Sequence, residues 1–254
     1  MVDISVNGNV IKGVKLFCFD KDGTLIDLYH YWANMVALRA EGICRHYHFD
    51  MDLDKKAMML AMGVDVARQR LLPQGPVGIL PRSFVQAAAE EYVVTKNGEN
   101  AQEVCFRIFK DVDEFSARQL SMFIKPIPGA VALLRQIKGL GGLIAIATTD
   151  RTDRAWVAMK FLGVEALIDI VVGADQVKNS KPDPEMLQLI SGKTGIALKD
   201  IVMVGDAETD VRMGLQAGVK AAIGLYAGIT SKEKLLSLTP YVVETVADIR
   251  VQGA

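Results

Sequence analysis

The sequence predicts an α/β protein: a doubly wound parallel sheet with a mostly helical domain inserted after its first long strand. Three observations carry this. Short apolar runs recur along the chain, and each stops in a polar loop containing Asp, Gly or Thr. Helical patterns separate those runs in the second half of the chain. Between Leu28 and Lys125 the runs give way to helical patterns alone. Strands alternating with helices argue a parallel sheet covered on both faces.

In chain order, residues 4–10 hold an Asn7-Gly8 pair between β-branched residues, which reads as a small hairpin or an edge extension. Residues 14–19 form a nearly continuous apolar run that stops in Asp20-Lys21-Asp22-Gly23-Thr24. A buried strand does this at the C-terminal edge of a parallel sheet. Residues 31–46, 55–62, 82–94 and 102–120 carry helical patterns, interrupted by a turn-rich stretch at 71–78. They define an inserted domain over 28–125, with the core formed by 1–27 and 126–254. Chain crossings near 27–29 and 125–128 permit a hinge. Further strands are expected at 143–147, 168–172, 201–204, 221–225 and, weakly, 241–243. Helices at 128–138, 152–162, 184–194 and 209–217 separate them, and Gly141, Gly163 and Gly218 stand where helix C-termini belong.

Bulk properties set the class. At 254 residues, half of them apolar and 23% charged, the chain can bury a full core and hold two domains. Its formal charge of −1 supplies no global field for nucleic acid or an anionic membrane. Cys18, Cys44 and Cys105 are odd in number and form no CxxC, so free thiols are expected, without a disulfide framework or zinc site. His30, His46 and His48 have no clustered partner ligands. Residues 1–15 lack a signal-peptide pattern, and no apolar run approaches the ~20 residues of a membrane span. The expectation is a soluble cytoplasmic protein.

The chemistry sits in the loops. Asp20 and Asp22 stand one residue apart at the end of a buried strand, where one carboxylate can attack while its neighbour gives and takes a proton. Gly23 allows a tight turn, and the Thr24 hydroxyl can hold it. Asp206 and Asp210 end another strand. In an open parallel sheet the strand ends converge on one crevice, so these four carboxylates can meet. Their mutual repulsion calls for a hard divalent cation, and oxygen donors favour magnesium. An isolated Asp-x-Asp is more often a solvated loop or a helix cap. Joined to Gly-Asp-x-x-x-Asp after a second strand, it points to chemistry. Lys181, in a loop stiffened by Pro182 and Pro184, can steady phosphoryl oxygens and the nucleophile. Thr148 offers a hydroxyl and a backbone N–H at a strand end. It is preferred to Thr149 because it follows the apolar run directly.

Phe19-Asp20-Lys21-Asp22-Gly23-Thr24-Leu25, Thr148, Lys181-Pro182 and Gly205-Asp206 to Asp210 resemble, in order, the four motifs of the haloacid dehalogenase superfamily. The resemblance implies a Rossmann-like core, Asp20 as nucleophile and Asp22 as general acid and base. It implies Mg2+ on Asp20, the Asp22 carbonyl and Asp206, with Asp210 orienting a water or supporting the loop. Dehalogenase members lack the second acid, so Asp22 favours phosphate chemistry. The long gap from Asp22 to Thr148 resembles the helical-cap branch that includes phosphoglycolate phosphatases. The expected substrate is a small phosphate monoester of the phosphoglycolate or sugar phosphate type. Tyr29, His30, Tyr31 and Trp32 at the cap entry either wall the site or pack the junction. One of Arg68, Arg70 and Arg82 is expected to reach a substrate anion, unless all three are solvated surface groups. A phosphomutase of the same branch and a non-catalytic phosphate-binding module are the alternatives. No pattern in the sequence fixes an oligomeric state.

Overall fold

The computed structural model describes residues 1–72, 74–78 and 80–253, apart from the side chains of Ala117 and Leu120. Pro73, in the turn-rich stretch expected at 71–78, lies outside the described residues. The chain divides into two compact units, Met1–Asp27 with Pro126–Ala254, and Leu28–Lys125.

The first unit opens with β1 (Val2–Val6), β2 (Asn9–Val14) and β3 (Leu16–Phe19). Asn7 and Gly8 take φ of 48° and 79°, the positive values that a two-residue turn between right-twisted strands requires. The chain then builds the second unit from α1 (Leu28–Tyr47), α2 (Leu53–Ala61), β4 (Val64–Asp65), β5 (Arg70–Leu71), α3 (Arg82–Thr95) and α4 (Ala101–Arg118). These helices enclose a core of their own, including Val36, Ile43, Met58, Val85, Val93 and Phe109.

The first unit resumes with α5 (Ala130–Gly139), β6 (Leu143–Ala147), α6 (Thr152–Phe161), β7 (Ile170–Val172), α7 (Glu185–Thr194) and β8 (Ile201–Gly205). It closes with α8 (Glu208–Ala217), β9 (Ala221–Leu225), α9 (Lys232–Leu236), β10 (Val242–Val243) and β11 (Arg250–Gly253). The six-stranded sheet has the order β10-β9-β8-β3-β6-β7, with every pairing parallel. Every residue of β3, β8 and β9 is buried, as expected of strands covered on both faces. The chain enters at the centre, winds outward through β6 and β7, and restarts at β8 on the other side of β3. That reversal opens a crevice at the C-terminal strand ends.

The hairpin is not an edge extension of this sheet. β1 pairs with both β2 and β11 in a separate three-stranded antiparallel sheet. Gly141, Gly163 and Gly218 take positive φ at helix ends, as the sequence predicts. All three cysteines are buried and unpaired. Among the described residues, no helix is long and apolar enough to cross a membrane.

Candidate active site

The register of β3 against β8 builds the site. Phe19 pairs with Val204, and the Asp20 N–H donates to the Val204 carbonyl at 2.8 Å. Asp20 and Asp206 therefore leave neighbouring strands at almost the same level. After Asp20 the chain folds back tightly, with Leu25 and Ile26 both donating to the Lys21 carbonyl at 3.0 Å. Gly23 is needed in this loop for two reasons. Its φ is +85°, and a Cβ there would stand 2.3 Å from Asp206 Oδ2.

Asp206 is almost fully buried and is held from two sides. Thr24 Oγ1 donates to its Oδ1 at 3.1 Å, and the Ile229 N–H donates to its Oδ2 at 3.1 Å. Asp210 lies in the first turn of α8, where its Oδ2 accepts from the Ala207 N–H at 3.0 Å. Oxygens of Asp20, Asp206 and Asp210 lie within 4.8 Å of one another. Lys181 Nζ reaches into this group, 2.6 Å from Asp20 Oδ1 and 2.7 Å from Asp210 Oδ1. The Lys181–Pro182 peptide is cis, and Pro184 leads into α7.

The electrostatics follow from burial. Burial pushes the Asp20 carboxyl up to about 6; Lys181 pulls it back and Asp210 adds to the rise. Burial likewise pushes Asp206 well above the usual carboxylate range, reinforced by Asp20 and Asp210. Burial opposes the charge on Lys181, but Asp20 and Asp210 overcome it and hold the ammonium above the ordinary lysine value. Three buried carboxyl groups thus face one ammonium, so all three ionise together only when a further positive charge joins them. The donor set, all carboxylate oxygen in a fixed cradle, fits a hard divalent cation.

The family model for haloacid dehalogenase-like hydrolases matches residues 14–218. The chain belongs to this family. It is 37% identical to a probable phosphatase, IndB, of Dickeya dadantii over 123 residues, which are 48% of this chain and 53% of that one. The match thus spans about half the length of that relative. A phosphoglycolate phosphatase of Yersinia pestis is 26% identical over 90% of this chain and 88% of its own. The crystal structure of a HAD-superfamily hydrolase, subfamily IA, from Geobacter sulfurreducens superposes with a TM-score of 0.64. It is 18% identical and covers 93% of this chain and 94% of that chain.

Within this haloacid dehalogenase-like core, the remaining expected residues take definite places. The Asp22 carboxylate, 38% exposed, pairs with Lys21 at 2.7 Å and is not in the buried trio. Burial raises its pKa and Lys21 opposes the rise. Thr148 is buried and its Oγ1 accepts from the Asp150 N–H at 3.1 Å. The expectation that its backbone N–H is available to a ligand is corrected: it donates to the Val172 carbonyl at 3.0 Å, continuing the β6–β7 ladder. Thr149 is exposed. Inside the helical unit, Arg68 and Arg70 flank the Asp65 carboxylate at 3.2 and 3.7 Å. Arg82 pairs with Asp113 at 2.9 Å, a carboxylate shared with the buried Arg39 at 2.7 Å.

Two parts of the site escaped sequence reasoning. Lys21 is buried and bridges Asp22 to Asp150 at 3.4 Å, tying the first loop to the loop after β6. A lysine between two aspartates reads as solvated, so composition did not single it out. The second is the loop after β9, where Gly228 has no room for a Cβ, 2.2 Å from Asp206. Its only sequence signal is a glycine shortly after an apolar run.

Proposed function

We propose that the protein is a magnesium-dependent phosphatase that hydrolyses a small phosphate monoester through an aspartyl-phosphate on Asp20. The observation that carries this reading is Lys181 set between Asp20 and Asp210 beside Asp206. Family membership and the phosphatase relatives support it.

Asp20 attacks phosphorus through a carboxylate oxygen. As that bond forms, the bond to the leaving oxygen breaks, and Asp22, protonated, supplies the proton the leaving alkoxide needs. The raised pKa of Asp22 suits this role. In the second half, water attacks the aspartyl-phosphate and gives its proton to the Asp22 carboxylate. The acyl phosphate bond breaks, which releases inorganic phosphate and restores Asp20. Lys181 and the Thr148 hydroxyl stabilise the phosphoryl oxygens as charge spreads over them. Asp20, Asp206 and Asp210, with the Asp22 carbonyl, would hold magnesium, which supplies the positive charge that offsets their repulsion and that of an incoming phosphate.

Substrate choice we assign to the unit Leu28–Lys125, with a substrate of the phosphoglycolate or sugar phosphate type. Turnover of p-nitrophenyl phosphate with magnesium tests the core reading. Asp20→Asn is expected to abolish it, and mass spectrometry of quenched wild-type protein to find phosphate on the peptide carrying Asp20. Wild-type protein without magnesium-dependent phosphate release from any ester would sink the proposal. A screen of phosphorylated metabolites scored by phosphate release names the substrate.

A further inference from the structure

A solvent-open cavity of about 390 Å³ lies in the first unit, lined by the Asn7–Gly8 turn, β10, Tyr226 after β9 and the exposed Lys232, Glu244, Asp248 and Arg250. Its volume is within the range of small-molecule sites. Every lining residue falls outside residues 14–218, so this pocket is built by the chain's own terminal segments.

Its lining is chemically specific. Lys232 and Arg250 bring two positive charges, and Glu244 and Asp248 bring two negative ones. Among the described residues none of the four is in an ion pair. Lys232 Nζ stands 4.9 Å from the centre of the Tyr226 ring. Glu244 accepts from the Tyr226 hydroxyl at 3.4 Å, and Asp248 accepts from the Thr245 N–H at 2.9 Å. Arg250 donates to the Ala247 carbonyl. Burial raises the Tyr226 phenol, and Glu244 and then Asp248 add to the rise. A ligand of one sign would satisfy one pair and repel the other. A ligand carrying both signs satisfies the two together.

The pocket is also joined to Asp206. Tyr226 and Lys232 bracket residues 227–231. Within that segment Ile229 donates to Asp206, Gly228 lies against the same carboxylate, and Thr230 Oγ1 accepts from the Glu208 N–H at 3.0 Å. The Glu244 carbonyl fixes the start of the segment by accepting from the Ala227 N–H at 3.0 Å. Lys234, on α9, reaches Glu208 at 3.3 Å.

We propose that this cavity binds a small zwitterionic metabolite of the amino-acid class, and that its occupancy changes the affinity of the Asp20–Asp206–Asp210 cluster for magnesium. The binding half stands on the pocket alone, whereas the coupling half rests on the reading of that cluster as a metal centre. By linkage, magnesium alters amino-acid affinity by the same factor.

Calorimetry on the full chain tests both halves without reference to turnover. The probes are the proteinogenic amino acids added singly, with acetate and tetramethylammonium as single-charge controls. At least one amino acid is expected to bind with one-to-one stoichiometry while both controls fail. Glu244→Gln and Lys232→Met are each expected to weaken that binding about tenfold or more, with circular dichroism and p-nitrophenyl phosphate turnover unchanged. Binding by no amino acid, or binding equally tight in both variants, overturns the site. Magnesium titrated with and without the saturating amino acid is expected to show a several-fold change in affinity. An unchanged affinity overturns the coupling. A failed phosphatase assay leaves these readouts intact and counts against the catalytic reading only.

Discussion

Among the described residues, a lysine ammonium 2.6 Å from Asp20 and 2.7 Å from Asp210 is the one positive side chain paired with the buried carboxylates of the site. Replacing it exposes their repulsion directly. Lys181→Met is expected to lower kcat on p-nitrophenyl phosphate by roughly 10²–10³-fold, the scale of losing one preorganised donor to the developing charge. Steady-state kinetics at saturating magnesium measures it. The same cluster makes metal-free stability depend on pH. Asp20 is raised from an ordinary 3.8 to about 6, so between those values the folded state holds more protons than the unfolded one. The Asp20 contribution to stability is then greatest below about pH 4 and is lost as pH rises through about 6. The loss for Asp20 alone is on the order of 3 kcal/mol, and Asp206 acts in the same direction. Thermal melts in chelator from pH 4 to 8 should show this fall. Asp20→Asn should flatten it, and magnesium should restore the midpoint at neutral pH.

At the scale of elements, the site depends on backbones packed against carboxylates. An alanine at Gly228 would put a Cβ 2.2 Å from Asp206, beside a main chain with little freedom to retreat. Gly228→Ala is therefore expected to raise the magnesium concentration for half-maximal activity by about tenfold, with an unchanged circular dichroism spectrum; a factor of ten corresponds to about 1.4 kcal/mol of cation binding. An unaltered magnesium titration would show that Asp206 can move freely. Strands β3, β6, β8 and β9 were legible in the sequence because they are buried on both faces, which makes their residues a continuous apolar run. The carboxylates were legible because each follows such a run. What could not be read lacks a local signal. β11 is four residues with one partner strand, far away at β1, and α9 spans barely more than a turn. Arg39, buried on α1 with its guanidinium 4.4 Å from the Phe109 ring centre and paired to Asp113, sits where apolar periodicity registers only a polar residue.

Across the whole molecule, the two units have separate cores, and the chain leaves and re-enters the first one at adjacent points. Ile26 bridges Pro126, and the Ile127 N–H donates to the Leu25 carbonyl at 2.9 Å. A short Gly-Ser linker can therefore replace residues 28–125. The resulting protein is expected to fold, bind magnesium and retain measurable p-nitrophenyl phosphate turnover, while losing discrimination among metabolite esters. A product that does not fold would show that the first unit depends on the second. The cysteines allow the intact chain to be followed without any deletion. Cys18 lies in the first unit, and Cys44 and Cys105 in the second. Burial pushes the Cys18 and Cys105 thiols up to about 12, so a disulfide reagent such as Ellman's can modify them only during transient opening. Peptide mapping of labelled thiols over time thus provides a separate breathing clock for each half of the protein, with no probe introduced. Magnesium should slow the clock at Cys18 and leave the other two running at their own pace.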